Sequence, residues 1–133
     1  MKLKAIKEQT IVITGGSSGI GLTTAKMAAE RGAHVVLVAR DEDGLRQVRD
    51  QIRANGGRAD YVTGDVGVRE DMRRAVASIL DRFGGFDTWV NDAGVGVYAK
   101  LEELSDEDHQ RLFQTNYFGV VYGSLEALKH LKK

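Results

Sequence analysis

The clearest chemistry in these 133 residues lies in the run Thr14-Gly15-Gly16-Ser17-Ser18-Gly19-Ile20-Gly21. A turn of this kind at the start of a helix leaves backbone N–H groups without intrahelical partners. Together with the helix dipole, these make a site for an anion. Gly15 has access to backbone angles closed to residues with a Cβ, Gly19 lets the chain approach a phosphate, and Gly21 lets the following helix lie close to a sheet. Ser17 and Ser18 add hydroxyl donors at the same place. The run lacks the Lys-Ser/Thr ending of a triphosphate-binding loop, so a dinucleotide pyrophosphate suits it better than a mononucleotide triphosphate. The plainer alternative is a strand-to-helix turn that simply needs small residues.

The elements that would hold this turn are readable from periodicity. Short β-branched segments at Thr10 to Ile13, His34 to Val38, Ala59 to Thr63 and Phe86 to Val90 alternate with segments of helical period. That alternation builds βαβ units and a parallel sheet. Helices are expected from about Gly19 to Arg31, with Ile20, Thr24, Met27 and Ala28 on the covering side; from about Glu42 to Ala54, with Leu45, Val48 and Ile52; and from about Glu70 to Phe83, with Met72, Val76, Ile79 and Phe83. Asp41 suits an N-cap, and Gly84-Gly85 a helix stop. Right-handed crossovers then allow the strand order 3-2-1-4, a partial, doubly wound Rossmann-like α/β fold in a single domain over residues 1–133. Ser105 to Asp108 reads as a capping box that opens a long last helix over about 106–131, roughly 35–40 Å at 1.5 Å per residue. Between Tyr117 and Leu125 that helix is apolar or small at almost every position. Both flanks are therefore expected to be covered, one by the sheet and one by a second copy of the chain, which implies a homo-oligomer.

The glycine run matches the Thr-Gly-x-x-x-Gly-x-Gly spacing of the short-chain dehydrogenase/reductase family, and the rest of the chain resembles that family in order. Asp65-Val66 after the third strand is similar to the pair that holds the adenine ring. Asn91-Asp92-Ala93-Gly94 after the fourth is similar to Asn-Asn-Ala-Gly, with Asp92 departing from it. Asn116 matches the asparagine of the catalytic tetrad. The resemblance implies that Gly15, Ser17, Ser18, Gly19, Ile20, Gly21 and Arg40 line the phosphates and adenosine, that Asp65 and Val66 meet the adenine, and that Asn91, Ala93 and Gly94 lie beneath the nicotinamide ribose. Asn91 reads equally well as a structural residue bonding backbone groups. Arg40 ends the second strand, where an acid bonds the ribose 2′-hydroxyl of NAD and an arginine accommodates the 2′-phosphate of NADP, so NADP(H) is expected over NAD(H). Asp41 follows and offers a carboxylate to the ribose instead, in which case Arg40 is a solvated charge at the strand end.

Family members transfer hydride between a nicotinamide and a carbonyl or alcohol, using a serine and a Tyr-x-x-x-Lys pair. Here Tyr61, Tyr98, Tyr117 and Tyr122 are followed four positions later by Asp65, Glu102, Val121 and Glu126. These residues are thus expected to be the cofactor-binding portion of such an oxidoreductase, truncated and inactive alone, with Asn116 a relay residue or a helix asparagine bonding a buried carbonyl through water. The competing expectation is a non-catalytic dinucleotide-binding or purely structural module, natural or engineered.

Composition sets the outer bounds. Lys+Arg and Asp+Glu stand at 19 each, so no net field favours nucleic acid or an anionic membrane. The longest purely aliphatic stretch, Val35 to Ala39, is far short of a membrane span or signal peptide. No cysteine is present, and His34 starts a strand, His109 lies in a charged first turn and His130 in a basic last turn, so neither disulfides nor a metal centre is expected. A cytoplasmic protein fits these limits. Nothing in the sequence explains sixteen glycines beside no proline.

Overall fold

The structure is a computed structural model and describes residues 3–132. Strands β1 (Thr10–Thr14), β2 (His34–Ala39), β3 (Arg58–Thr63) and β4 (Thr88–Asn91) form one parallel sheet in the order β3-β2-β1-β4. Helices α1 (Gly19–Glu30), α2 (Glu42–Ala54) and α3 (Arg69–Phe83) are the crossovers. After β4 the chain runs through α4 (Asp106–Phe113), a π-helical turn (Gln114–Phe118) and α5 (Gly119–Leu131). The Rossmann-like order expected from the sequence is the one observed.

Side chains alternate across a strand, and the two faces of this sheet show it directly. Ile11, Ile13, Val35 and Leu37 enter the layer under α1 and α2 with Leu45, Val48 and Ile52. Val12, Val36 and Val38 enter the layer under α3 and α5 with Met72, Val76 and Ile79. Strands β1 and β2 are thus buried on both faces, and each buried aliphatic side chain contributes about 1.5–3 kcal/mol. Local signals set the ends of the helices. The Asp41 carboxylate accepts the Gly44 N–H at 3.1 Å and caps α2, while Gly84 takes the left-handed conformation (φ 76°) that closes α3. At the far edge, the Asp87 carboxylate accepts the Thr10 N–H at 2.8 Å and pairs with Lys4 at 2.5 Å, tying the entry of β4 to that of β1.

Two readings change. The covering stripe of α1 is Gly21, Ala25 and Ala29, not the stripe through Ile20 and Met27, which are 76% and 48% exposed. Helix α1 lies too close to the sheet for large side chains, so the small residues face inward. Phe86 precedes β4 instead of opening it; it is buried against Trp89 and His130, with ring centroids 5.7 and 4.8 Å away.

The long C-terminal helical run is present from Asp106 to Leu131, opened by the Ser105–Asp108 capping box, and the π turn sits within it. One flank of α5 packs down through Gly119, Gly123 and Ala127, spaced four apart. A Cβ at Gly119 would lie 2.7 Å from Val66 Cγ2, and one at Gly123 2.9 Å from Asn91 Oδ1. Small residues are what this approach requires. Phe113 on α4, Tyr117 on the π turn, and Val120 and Leu128 on α5 stay open to solvent within the single chain. Among the described residues no helix is long and apolar enough to cross a membrane, and no three acidic or imidazole groups gather as a metal site would need.

Candidate functional site

Beyond the carboxyl ends of the four strands lies a cleft of about 620 Å³, lined by the segments that directly follow each strand. Parallel sheets place their ligand sites here, where connections leave neighbouring strands in opposite directions. The lining includes Gly15, Ser17, Ser18, Gly19 and Ile20 after β1; Arg40 and Asp41 after β2; Gly64, Asp65 and Val66 after β3; and Asp92, Ala93, Gly94 and Val95 after β4. Thr115, from the π turn, closes one side.

The glycine turn behaves as its spacing requires. Gly15 sits at φ +73°, and a Cβ there would lie 2.7 Å from the backbone of Ala93. Gly19 sits at φ +55° with nothing within 4 Å of a Cβ position, so the chain is open toward the cleft. Gly21 is buried under the turn rather than lining the cleft; a Cβ there would collide with the Gly15 carbonyl and lie 2.7 Å from Asp92 Oδ2. Ser18, the N-cap of α1, makes no side-chain cap bond, so the first N–H groups of α1 remain free at the cleft.

Thr14 locks this turn to the opposite wall. Its hydroxyl is buried, accepts the N–H groups of Asp92 (3.2 Å) and Ala93 (3.3 Å), and donates to the Val90 carbonyl at 3.4 Å. One side chain thereby fixes where the β1 turn meets the segment after β4.

Arg40 and Asp65 face each other at 4.0 Å, a loose pair with the guanidinium side chain 58% exposed. Asp41 also borders the cleft, but one of its carboxylate oxygens is committed to the α2 cap. The β3–α3 turn is held from beneath. The Asp71 carboxylate accepts the Asp65 N–H at 2.9 Å and pairs with Arg74, and these contacts keep its carboxyl below the usual range against the opposing effect of burial. Asp65 in turn accepts the Gly67 N–H at 2.9 Å.

Not every expected residue enters the cleft. The Asn91 side chain accepts from Trp89 Nε1 at 2.9 Å and donates to Ser124 Oγ at 2.9 Å, which joins β4 to α5. Asn116 accepts the Val95 N–H and donates to the Val95 carbonyl, both at 2.8 Å. Its carbonyl partner is reached directly. Thr14 and Gln114 take their roles from partners far away in sequence, Asp71 from a turn six residues back, and Thr115 from the placement of the π turn, so none carries a local signal of its own role. Asp92 and Val95 carry one, since Asp92 lies within the Asn91–Gly94 motif and Val95 follows it.

A free helix N-terminus at the switch point of a 3-2-1-4 parallel sheet defines the class as a Rossmann-type nucleotide-binding fold. The chain belongs to the short chain dehydrogenase family, whose profile matches residues 9–133. It is 48% identical over 130 residues to YxnA, an uncharacterized oxidoreductase of Bacillus subtilis, covering 98% of this chain and 36% of that protein. An actinorhodin polyketide ketoreductase solved with NADPH superposes with a TM-score of 0.87 at 33% identity, over 96% of this chain and 49% of the other. L-Sorbose reductase from Gluconobacter frateurii, solved with NADPH and L-sorbose, gives 0.86 at 35% identity, over 93% and 48%. The chain therefore spans about half or less of the length of these relatives.

Proposed function

We propose that this chain is the NADP(H)-binding portion of an oxidoreductase that moves hydride between the nicotinamide and a carbonyl or alcohol. The observation that carries the reading is the uncapped α1 N-terminus facing the same cleft as the exposed Arg40 guanidinium. Those residues fit a dinucleotide phosphate: free N–H groups beside Gly19, hydroxyls at Ser17 and Ser18, and a planar cation for a 2′-phosphate. Asp65 and Val66 would border the adenine, and Ala93 and Gly94 the nicotinamide ribose. Asn91 would support that wall through Trp89 and Ser124. The NADPH held by two related proteins supports the choice of cofactor. The bound nicotinamide would supply the hydride; the residues of this chain bind and orient it. No tyrosine here is followed four positions later by lysine, so the 133 residues alone are expected to bind without turnover. Asn116, with both polar atoms on Val95, holds the cleft wall in this reading.

Isothermal titration with NADPH and NADH, repeated on Arg40→Ala, tests the assignment. A guanidinium–phosphate contact contributes about 1.5–3 kcal/mol, so wild type should prefer NADPH by roughly tenfold or more, and the variant should lose that preference. Equal or tighter binding of NADH by the wild type would reject it.

A further inference from the structure

Three consecutive residues of the π turn reach three different parts of the cleft. Gln114 Nε2 donates to the Gly67 carbonyl at 2.5 Å, on the wall after β3. Thr115 lines the cleft itself. Asn116 bonds both backbone groups of Val95 at 2.8 Å, on the wall after β4. Residues two apart on a helical path point to opposite sides, which is how neighbouring side chains reach opposite walls. The widened turn is closed by the Gly119 N–H on the Gln114 carbonyl, and such insertions concentrate at functional sites.

The surroundings are built for this approach. Gly67 is buried, and a Cβ there would lie 3.1 Å from Gln114 Cγ and 3.2 Å from the Gln114 carbonyl oxygen. A Cβ at Gly94 would lie 3.3 Å from Asn116 Oδ1. Val66, between Asp65 and Gly67, is pressed by the start of α5 at Gly119. Both walls therefore meet the same turn at close range.

We propose that the π turn is a clasp that makes the two walls of the cleft one mechanical unit, with Gln114 the positioning residue for the wall that carries Asp65 and Val66. Loosening Gln114 then loosens Val95 across the cleft as well as Gly67 beneath it. Naming these walls as adenine and nicotinamide sides rests on the proposed NADP(H) reading, whereas the coupling does not.

Amide hydrogen exchange on wild type, Gln114→Met and Gln114→Glu tests the clasp without any ligand. Methionine keeps the length and apolar stem but has no donor; glutamate keeps the shape and presents an acceptor to the Gly67 carbonyl. With circular dichroism unchanged, both variants should exchange roughly three- to tenfold faster over 65–68 and also at Val95, as expected for the loss of one hydrogen bond. Acceleration confined to 65–68 would mean two independent tethers and overturn the coupling. Unchanged exchange on both walls would overturn the role of Gln114. A parallel NADPH titration separates the two claims, since a wild type that binds no NADPH sinks the functional reading while exchange still decides the clasp.

Discussion

The β1–α1 turn and the π turn flank one cleft and are built by opposite means. In the β1–α1 turn, backbone geometry shapes the site, with the Thr14 hydroxyl as its anchor beneath: Gly15 at φ +73° meets Ala93, and the free N–H groups of α1 look outward. In the π turn, side chains do the holding, with Gln114 on Gly67 and Asn116 on Val95. The first region tolerates no added atoms at Gly15 and Gly21, where a Cβ meets backbone; the second depends on the hydrogen-bonding capacity of Gln114 and Asn116. The difference teaches where each kind of substitution should hurt.

The hardest blow to the first region is Gly21→Ala. Its new Cβ meets the Gly15 carbonyl, a backbone group that cannot move without opening the turn, and crowds the Asp92 carboxylate as well. Overpacking of this kind costs about 3 kcal/mol, and dinucleotide binding should fall with it. Gly19→Ala is the paired control: its Cβ enters open space, and only the left-handed backbone (φ +55°) costs about 1 kcal/mol. Urea unfolding of both variants checks the contrast. Equal losses would mean that conformation, rather than close approach, governs the turn.

Thr14→Val comes next and sharpens the link between the regions. The substitution keeps the shape but leaves the N–H groups of Asp92 and Ala93 without their acceptor. A buried donor left unpaired costs about 1–3 kcal/mol, so a loss near 2 kcal/mol is expected. Thermal unfolding would show it, and a variant as stable as wild type would remove Thr14 from the account of how the walls are joined.

The same contrast explains what could be read from the sequence. The strands, the caps of α2 and α4, and the glycine turn follow from neighbours within a few residues, where turn chemistry and hydrophobic period operate, and the sheet order follows from the handedness of the crossovers between those strands. Gly15 and Arg40 border the cleft because each directly follows a strand that periodicity marks. On α1 hydrophobicity marks Ile20 and Met27 as the inward stripe, whereas close approach to the sheet selects Gly21, Ala25 and Ala29. Gln114, Thr14 and Asp71 bond partners 47, 78 and 6 residues away, and no periodicity announces such pairs. Asn116 was found by its motif, yet its commitment to Val95 needed the fold.

The gentlest test falls on Asp71, which supports the β3 wall by one charge-assisted bond. The Asp65 N–H first, and Arg74 after the opposing effect of burial, hold its carboxyl below the ordinary value near 3.9. Because the native state favours the ionised form, the stability this group adds is fully present above about pH 4 and is lost as pH falls through its depressed native value. Asp87 and Asp108 behave alike: burial raises Asp87 but Lys4 and the Thr10 N–H outweigh it, and Asp108 is lowered by Ser105. Wild-type stability should therefore decline below pH 4 through several carboxyls, and only the comparison with Asp71→Asn isolates one of them. Asparagine still presents an oxygen to the Asp65 N–H but carries no charge for Arg74, so the variant should be slightly less stable at pH 7 and lose less on acidification. Parallel pH profiles for the two proteins would mean that the β3 wall does not depend on the Asp71 charge, leaving Gln114 and the Asp65–Gly67 bond to hold it.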